Sequence, residues 1–179
     1  MQRNETMPVG IVVERRDSSH PWQDHEWLPA AVIPGAVPMD PSGEWRELSR
    51  EDRRVLYHAG TLEVELHRTD TDAYREAMAG DAPVLFVVLR EDADGAHEVV
   101  PFAATVSLYE AQDFLDTGED IVERVPMPEP MAAWVQEFID THHVDQSFQK
   151  RKRKRHDDGA KDRKPPRGRG SGWSEGHEF

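Results

Sequence analysis

The residues able to do chemistry fall into four groups: histidines, carboxylates, tryptophans and one run of six basic side chains. Histidine is the only soft metal ligand, because the chain has no cysteine. That absence removes disulfides, cysteine-ligated zinc, iron–sulfur ligation and thiol nucleophiles. His20 and His25 flank Trp22, and His142 and His143 are adjacent at an expected helix end, where they point different ways. His58 and His67 would approach each other if the chain reverses at Ala59-Gly60. None of these pairs has the spacing of a zinc motif such as His-Glu-x-x-His, so histidines on a surface or strand face are the better reading, with no metal and no cofactor expected.

Carboxylates are abundant. Glu63 and Glu65 share one strand face, and Glu110, Asp113, Asp116, Glu119 and Asp120 surround a short helix. A buried pair would suit acid–base work, but with so many acids a solvated acidic face is favoured. Isolated glycines such as Gly60 and Gly80 form no phosphate loop, and no serine sits in a Gly-x-Ser-x-Gly elbow. No catalytic residue is assigned, and the chain is expected not to be an enzyme.

The basic run is Lys150, Arg151, Lys152, Arg153, Lys154 and Arg155. Such a run binds phosphates in a salt-dependent way, and it suits an acidic protein surface or anionic lipid equally. No aromatic residue interleaves it, so base stacking is unsupported. Trp22, Trp27, Trp45 and Trp134 are read as core or rim by default. Trp22 and Trp27 are also candidates for a shallow partner-binding patch, since tryptophan and arginine are enriched in binding hot spots.

The net charge of −13 conceals a division. Residues 147–179 carry eleven basic and five acidic side chains, a net of +6. Residues 1–146 carry eleven basic and thirty acidic ones, a net of −19, and contain no lysine. An acidic domain over 1–146 followed by a disordered basic tail over 147–179 is the expected organisation. Residues 1–6 are polar, with no apolar stretch of signal-peptide type behind them. The longest apolar run, residues 84–89, is far short of the ~20 residues that span a bilayer. A cytoplasmic protein without a membrane span is therefore expected.

The elements that must position these groups are mostly strands. Residues 9–16 are rich in β-branched side chains, and residues 1–6 before them are expected to be loose. Residues 22–33, broken by Pro29, suit an edge or bulged strand. Residues 34–43 read as a loop and 45–48 as a short strand, and Ser49 with Asp52 has the spacing to cap a helical turn. Leu62, Val64 and Leu66 alternate with Glu63, Glu65 and His67, which predicts a strand with one wet face. A hairpin across Ala59-Gly60 would join residues 54–58 to 61–68. Residues 70–79 predict a helix capped by Asp70. Residues 83–90 predict a buried central strand, and 99–107 its antiparallel neighbour. Residues 108–117 predict a helix burying Leu108, Ala111, Phe114 and Leu115 and ending at Gly118. Residues 121–125 predict a strand, and 131–141 a helix with Met131, Trp134, Val135 and Phe138 in a stripe. The fold class is α+β: an antiparallel bent sheet or open barrel of about six strands with two or three short helices.

Several long stretches resemble a known bacterial family of unknown function. They are Pro8-Val-Gly-Ile-Val-Val-Glu-Arg-Arg16, Pro21-Trp-Gln23, residues 57–68, residues 109–128 and the basic ending. Members of that family typically lie beside genes of molybdenum-dependent formate dehydrogenase, and some are labelled molybdopterin-guanine dinucleotide biosynthesis proteins. The resemblance implies a non-enzymatic accessory protein that assists maturation or assembly of that enzyme, with one of its subunits or maturation factors as partner. One alternative is a nucleic-acid-associated regulator acting through the tail. The other is an enzyme of molybdopterin guanine dinucleotide biosynthesis. Against the last, Val9-Gly-Ile-Val-Val is followed by Glu-Arg-Arg where a guanylyltransferase would carry a glycine-rich loop.

Overall fold

The computed structural model describes residues 4–144. Seven strands and three α-helices follow one another as β1 (Asn4–Asp17), β2 (His25–Pro34), β3 (Arg46–Glu51), β4 (Arg54–His67), α1 (Thr71–Met78), β5 (Val84–Glu91), β6 (Val99–Thr105), α2 (Leu108–Asp116), β7 (Asp120–Pro126) and α3 (Glu129–His142). A single 3₁₀ turn, Arg68–Asp70, leads into α1. All pairings are antiparallel, in two sheets ordered β2-β1-β4-β3 and β6-β5-β7. The α+β class is as expected. The strands number seven and divide between two sheets, and they do not close into a barrel.

The core explains the strand content. Val9, Ile11 and Val13 of β1, Val64 and Leu66 of β4, and Leu85, Val87 and Leu89 of β5 turn the same apolar residues inward at alternate positions. Met131, Val135 and Phe138 of α3 complete that core, as their stripe predicts. The β5 strand is central in its sheet and buried over Leu85, Phe86, Val87, Val88 and Leu89. Pro29 lies on the outer strand β2, where the register slips between Val12 and Val13. An edge strand with a bulge is where a residue without an N–H fits.

Four local expectations are corrected. No hairpin forms at Ala59-Gly60: β4 runs unbroken through both, because β1 pairs with its whole length. Gly60 instead takes a positive φ of 126° beside a register shift, so the glycine marks an irregularity inside a strand rather than its end. The true hairpin is β3–β4, and Ser49 lies within β3 rather than capping a helical turn. Residues 4–6 are strand rather than loose, since Asn4, Glu5 and Thr6 pair with His67, Leu66 and Glu65. In α2 only Ala111 is buried, and Leu115 is 52% exposed. Asp70 does occupy the N-cap position of α1, but its side chain accepts no capping bond.

Candidate functional site

The hairpin formed by β1 and β2 carries both tryptophans singled out from the sequence, in different settings. Trp22 lies in the connection between the strands, 82% exposed and stacked on the His20 ring at 5.4 Å. Trp27 lies within β2 opposite Arg15 and packs partly buried against the core. Only Trp22 is free to serve as an anchor. Trp27 belongs to an aromatic cluster with Trp45 and Tyr57, whose ring centroids lie 5.7–6.2 Å apart. The Arg15 guanidinium sits 5.9 Å from the Trp27 ring and 5.7 Å from that of Tyr57, within cation–π range.

Two residues of the β5–β6 connection complete this cluster. The Trp27 indole N–H donates to a Glu98 carboxylate oxygen at 2.6 Å, and the His97 ring stacks on Trp45 at 3.8 Å. His97 Nε2 lies 2.7 Å from the Gly43 carbonyl, and the Trp45 indole N–H donates to the Pro41 carbonyl at 2.9 Å. Every indole N–H here is satisfied, as a partly buried tryptophan requires. The cluster therefore clamps a loop of the three-stranded sheet onto the four-stranded one. Sequence reasoning had no means to find His97 or Glu98, because Glu98 reaches Trp27 across 71 positions and His97 reaches Gly43 across 54, with no shared periodicity.

A second feature brings together carboxylates that looked unrelated along the chain. Glu63, Glu65 and His67, the wet face of β4, line a cleft of about 280 Å³ with Phe102, Thr105 and Glu110 on the other side. The Thr105 hydroxyl donates to Glu110 Oε2 at 2.6 Å, and the Ser107 N–H donates to Thr105 Oγ1 at 3.1 Å. The Ser107 side chain caps α2 by accepting from the Glu110 N–H at 3.4 Å, which fixes the helix start beside the cleft. His67 Nε2 lies 3.4 Å from Glu65. Nearby, Arg90 binds Asp120 through two parallel bonds of 3.0 and 3.1 Å and lies 3.5 Å from the Phe102 ring centroid. That guanidinium holds the Asp120 carboxyl below the usual carboxylate range.

The expected closeness of His58 and His67 is not found: they lie at positions nine residues apart on one strand. His58 Nε2 is instead buried over Gly10 and meets no hydrogen-bond partner. The His143 ring lies between Thr71 Oγ1, at 3.0 Å from Nδ1, and Arg75, at 2.8 Å from Nε2. Among the described residues no three histidine or acidic side chains converge as a metal site would require. Lys150, Arg151, Lys152, Arg153, Lys154 and Arg155 lie outside the described residues, and so does the expected disorder of 147–179. Among the described residues no helix is long and apolar enough to cross a membrane.

A model of a protein family described as a protein of unknown function, DUF3305, matches residues 8–153. No curated protein and no solved structure matches the chain.

Proposed function

The chain belongs to the DUF3305 family, and on that premise we propose that it acts by binding, as a non-enzymatic accessory protein in the maturation or assembly of a molybdenum-dependent formate dehydrogenase. The observation that carries the binding half of this reading is Trp22. An indole 82% exposed and stacked on the His20 ring leaves a large apolar surface in water, and tryptophan is among the side chains most enriched in binding hot spots. The cluster of Trp27, Trp45 and Tyr57 anchors the β2 strand of the same hairpin. The choice of enzyme rests on the sequence resemblance.

The test pairs purified protein with the separate subunits and maturation factors of that enzyme. A saturable complex with one of them is expected, together with loss of formate oxidation in cells lacking the protein. Trp22→Ala should weaken the complex by roughly 30-fold, the effect of removing a hot-spot residue worth about 2 kcal/mol. Its melting temperature should not move, because the indole packs on no core residue. No complex with any component, and unchanged formate oxidation in the deletion strain, would refute the reading.

A further inference from the structure

The β3 strand stands at the end of the four-stranded sheet and pairs with β4 alone, so among the described residues its other edge carries no strand. All six of its residues, Arg46, Glu47, Leu48, Ser49, Arg50 and Glu51, are exposed. That sequence matches its own reverse with opposite charge. Laid antiparallel against a second copy, Arg46 meets Glu51, Glu47 meets Arg50, and Leu48 meets Ser49. Such a contact is isologous, with every pair occurring twice about a two-fold axis that passes between Leu48 and Ser49.

In a regular strand this match would fail. Residues an odd number of positions apart point to opposite faces, whereas residues opposite one another in a ladder share a face. The bulge in β3 removes the obstacle. Its register shifts between Glu47 and Ser49, which leaves Leu48 as the extra residue. Glu47 and Arg50 lie opposite Tyr57 and Val55, on one face of the sheet. Arg46, Ser49 and Glu51 lie opposite His58, Leu56 and Arg54, on the other. The side chains agree, since Arg50 donates to both carboxylate oxygens of Glu47 at 2.8 and 3.1 Å. Each charged pair of the antiparallel match therefore falls on a common face. Charge and a bulge ordinarily guard a sheet edge against neighbours; here the same two features fit the edge to a copy of itself.

We propose that two copies of the chain associate through the outer edges of their β3 strands, joining two four-stranded sheets into a continuous one. Each Glu47 then has the Arg50 of the second copy opposite it as well as the Arg50 of its own strand. The two Leu48 side chains, each 45% exposed in the single chain, lie beside the axis. Backbone pairing supplies affinity and the charge pattern selects the register. A contact of six residues is small, and each chain carries a net charge of −13. The dimer therefore belongs with weak, transient interfaces and forms at high protein concentration. This inference is independent of the choice of partner enzyme.

The test is analytical ultracentrifugation of the full chain over a concentration series reaching about 1 mM. A reversible monomer–dimer equilibrium is expected. Glu47→Arg sets arginine against arginine twice across the axis, and Arg50→Glu sets glutamate against glutamate. Either exchange should weaken the dimer by about tenfold or more. An equimolar mixture of the two variants restores both opposite-charge pairs and should dimerise again, as should the chain that carries both exchanges. All variants should melt close to the parent, because an exposed ion pair contributes little to stability. A parent chain that stays monomeric throughout the series would overturn the proposal. A dimer that neither exchange weakens would place the contact elsewhere on the molecule and overturn it too. Failure of both the mixture and the doubly exchanged chain to regain the dimer would exclude this register, and with it the proposal.

Discussion

At the scale of single residues, two part-buried polar contacts make the protein sensitive to pH from opposite ends. Burial pushes the Tyr74 phenol up to about 12, and its oxygen accepts the His67 N–H. The folded value lies above the ordinary value of about 10, so folding favours the protonated phenol. The corresponding stability is intact below about pH 10 and is lost as pH rises towards 12. Tyr74→Phe leaves the His67 amide without its acceptor and should cost about 1–3 kcal/mol in denaturant unfolding at neutral pH. It should also remove the phenolate step near pH 12 from an alkaline absorbance titration. Asp120 works in the other direction. Its side chain is only 2% exposed, and its carboxyl is held low by Arg90. The ion pair contributes stability above the ordinary carboxylate value of about 4, and that contribution is lost as pH falls through the lower folded value. Asp120→Asn should melt lower than the parent at neutral pH, and the gap should narrow as the solution is acidified.

At the scale of elements, the long strand β4 depends on one glycine. Gly60 has a φ of 126°, and a Cβ there would lie 2.6 Å from the Pro41 Cα, a backbone atom that cannot swing aside. Gly60→Ala combines that clash with a conformation L-residues avoid, and should cost at least about 1–3 kcal/mol. Chemical denaturation of the variant against the parent measures it. The same position shows the limit of local reading. Ala59-Gly60 between two β-rich runs is compatible with a turn or with an irregularity inside one strand, and nothing nearby decides between them. The decision comes from β1, whose length offers partners to both halves of β4 and buries Ala59 completely. The alternation of Leu62, Val64 and Leu66 with Glu63, Glu65 and His67 did not depend on that choice. It correctly separates the core face from the cleft face, because the side-chain period of a strand is independent of its partner. In α2 a plausible apolar stripe overstated burial, since the helix lies at the rim, where only Ala111 reaches the core.

At the scale of the whole molecule, the two sheets are joined at one end by the clamp of Trp27, Trp45, Tyr57, His97 and Glu98. Trp27→Phe keeps the ring and removes the indole donor to Glu98. The loss should be about 1 kcal/mol, because the freed carboxylate is taken up by water. Its distinctive mark should be faster amide exchange in residues 92–98 than elsewhere in the three-stranded sheet, since that loop loses an anchor while its strands keep their ladders. The exposed tryptophan also belongs to this scale, since it sits where β1 and β2 are connected.

The sequence by itself determined the α+β class, the central place of residues 84–89, the stripe of the last helix, the bulged edge strand around Pro29 and the division of charge. Each of these follows from side-chain periodicity, from the missing N–H of proline or from counting, and needs no knowledge of which segments meet. Only the tertiary structure decided that β4 is one strand, that its glutamates share a cleft with Glu110, and that Trp27 is tied to Glu98 while Trp22 is exposed. Those facts depend on contacts between segments far apart in the chain, and such contacts are chosen by how the whole core packs rather than by any local preference of the residues that make them.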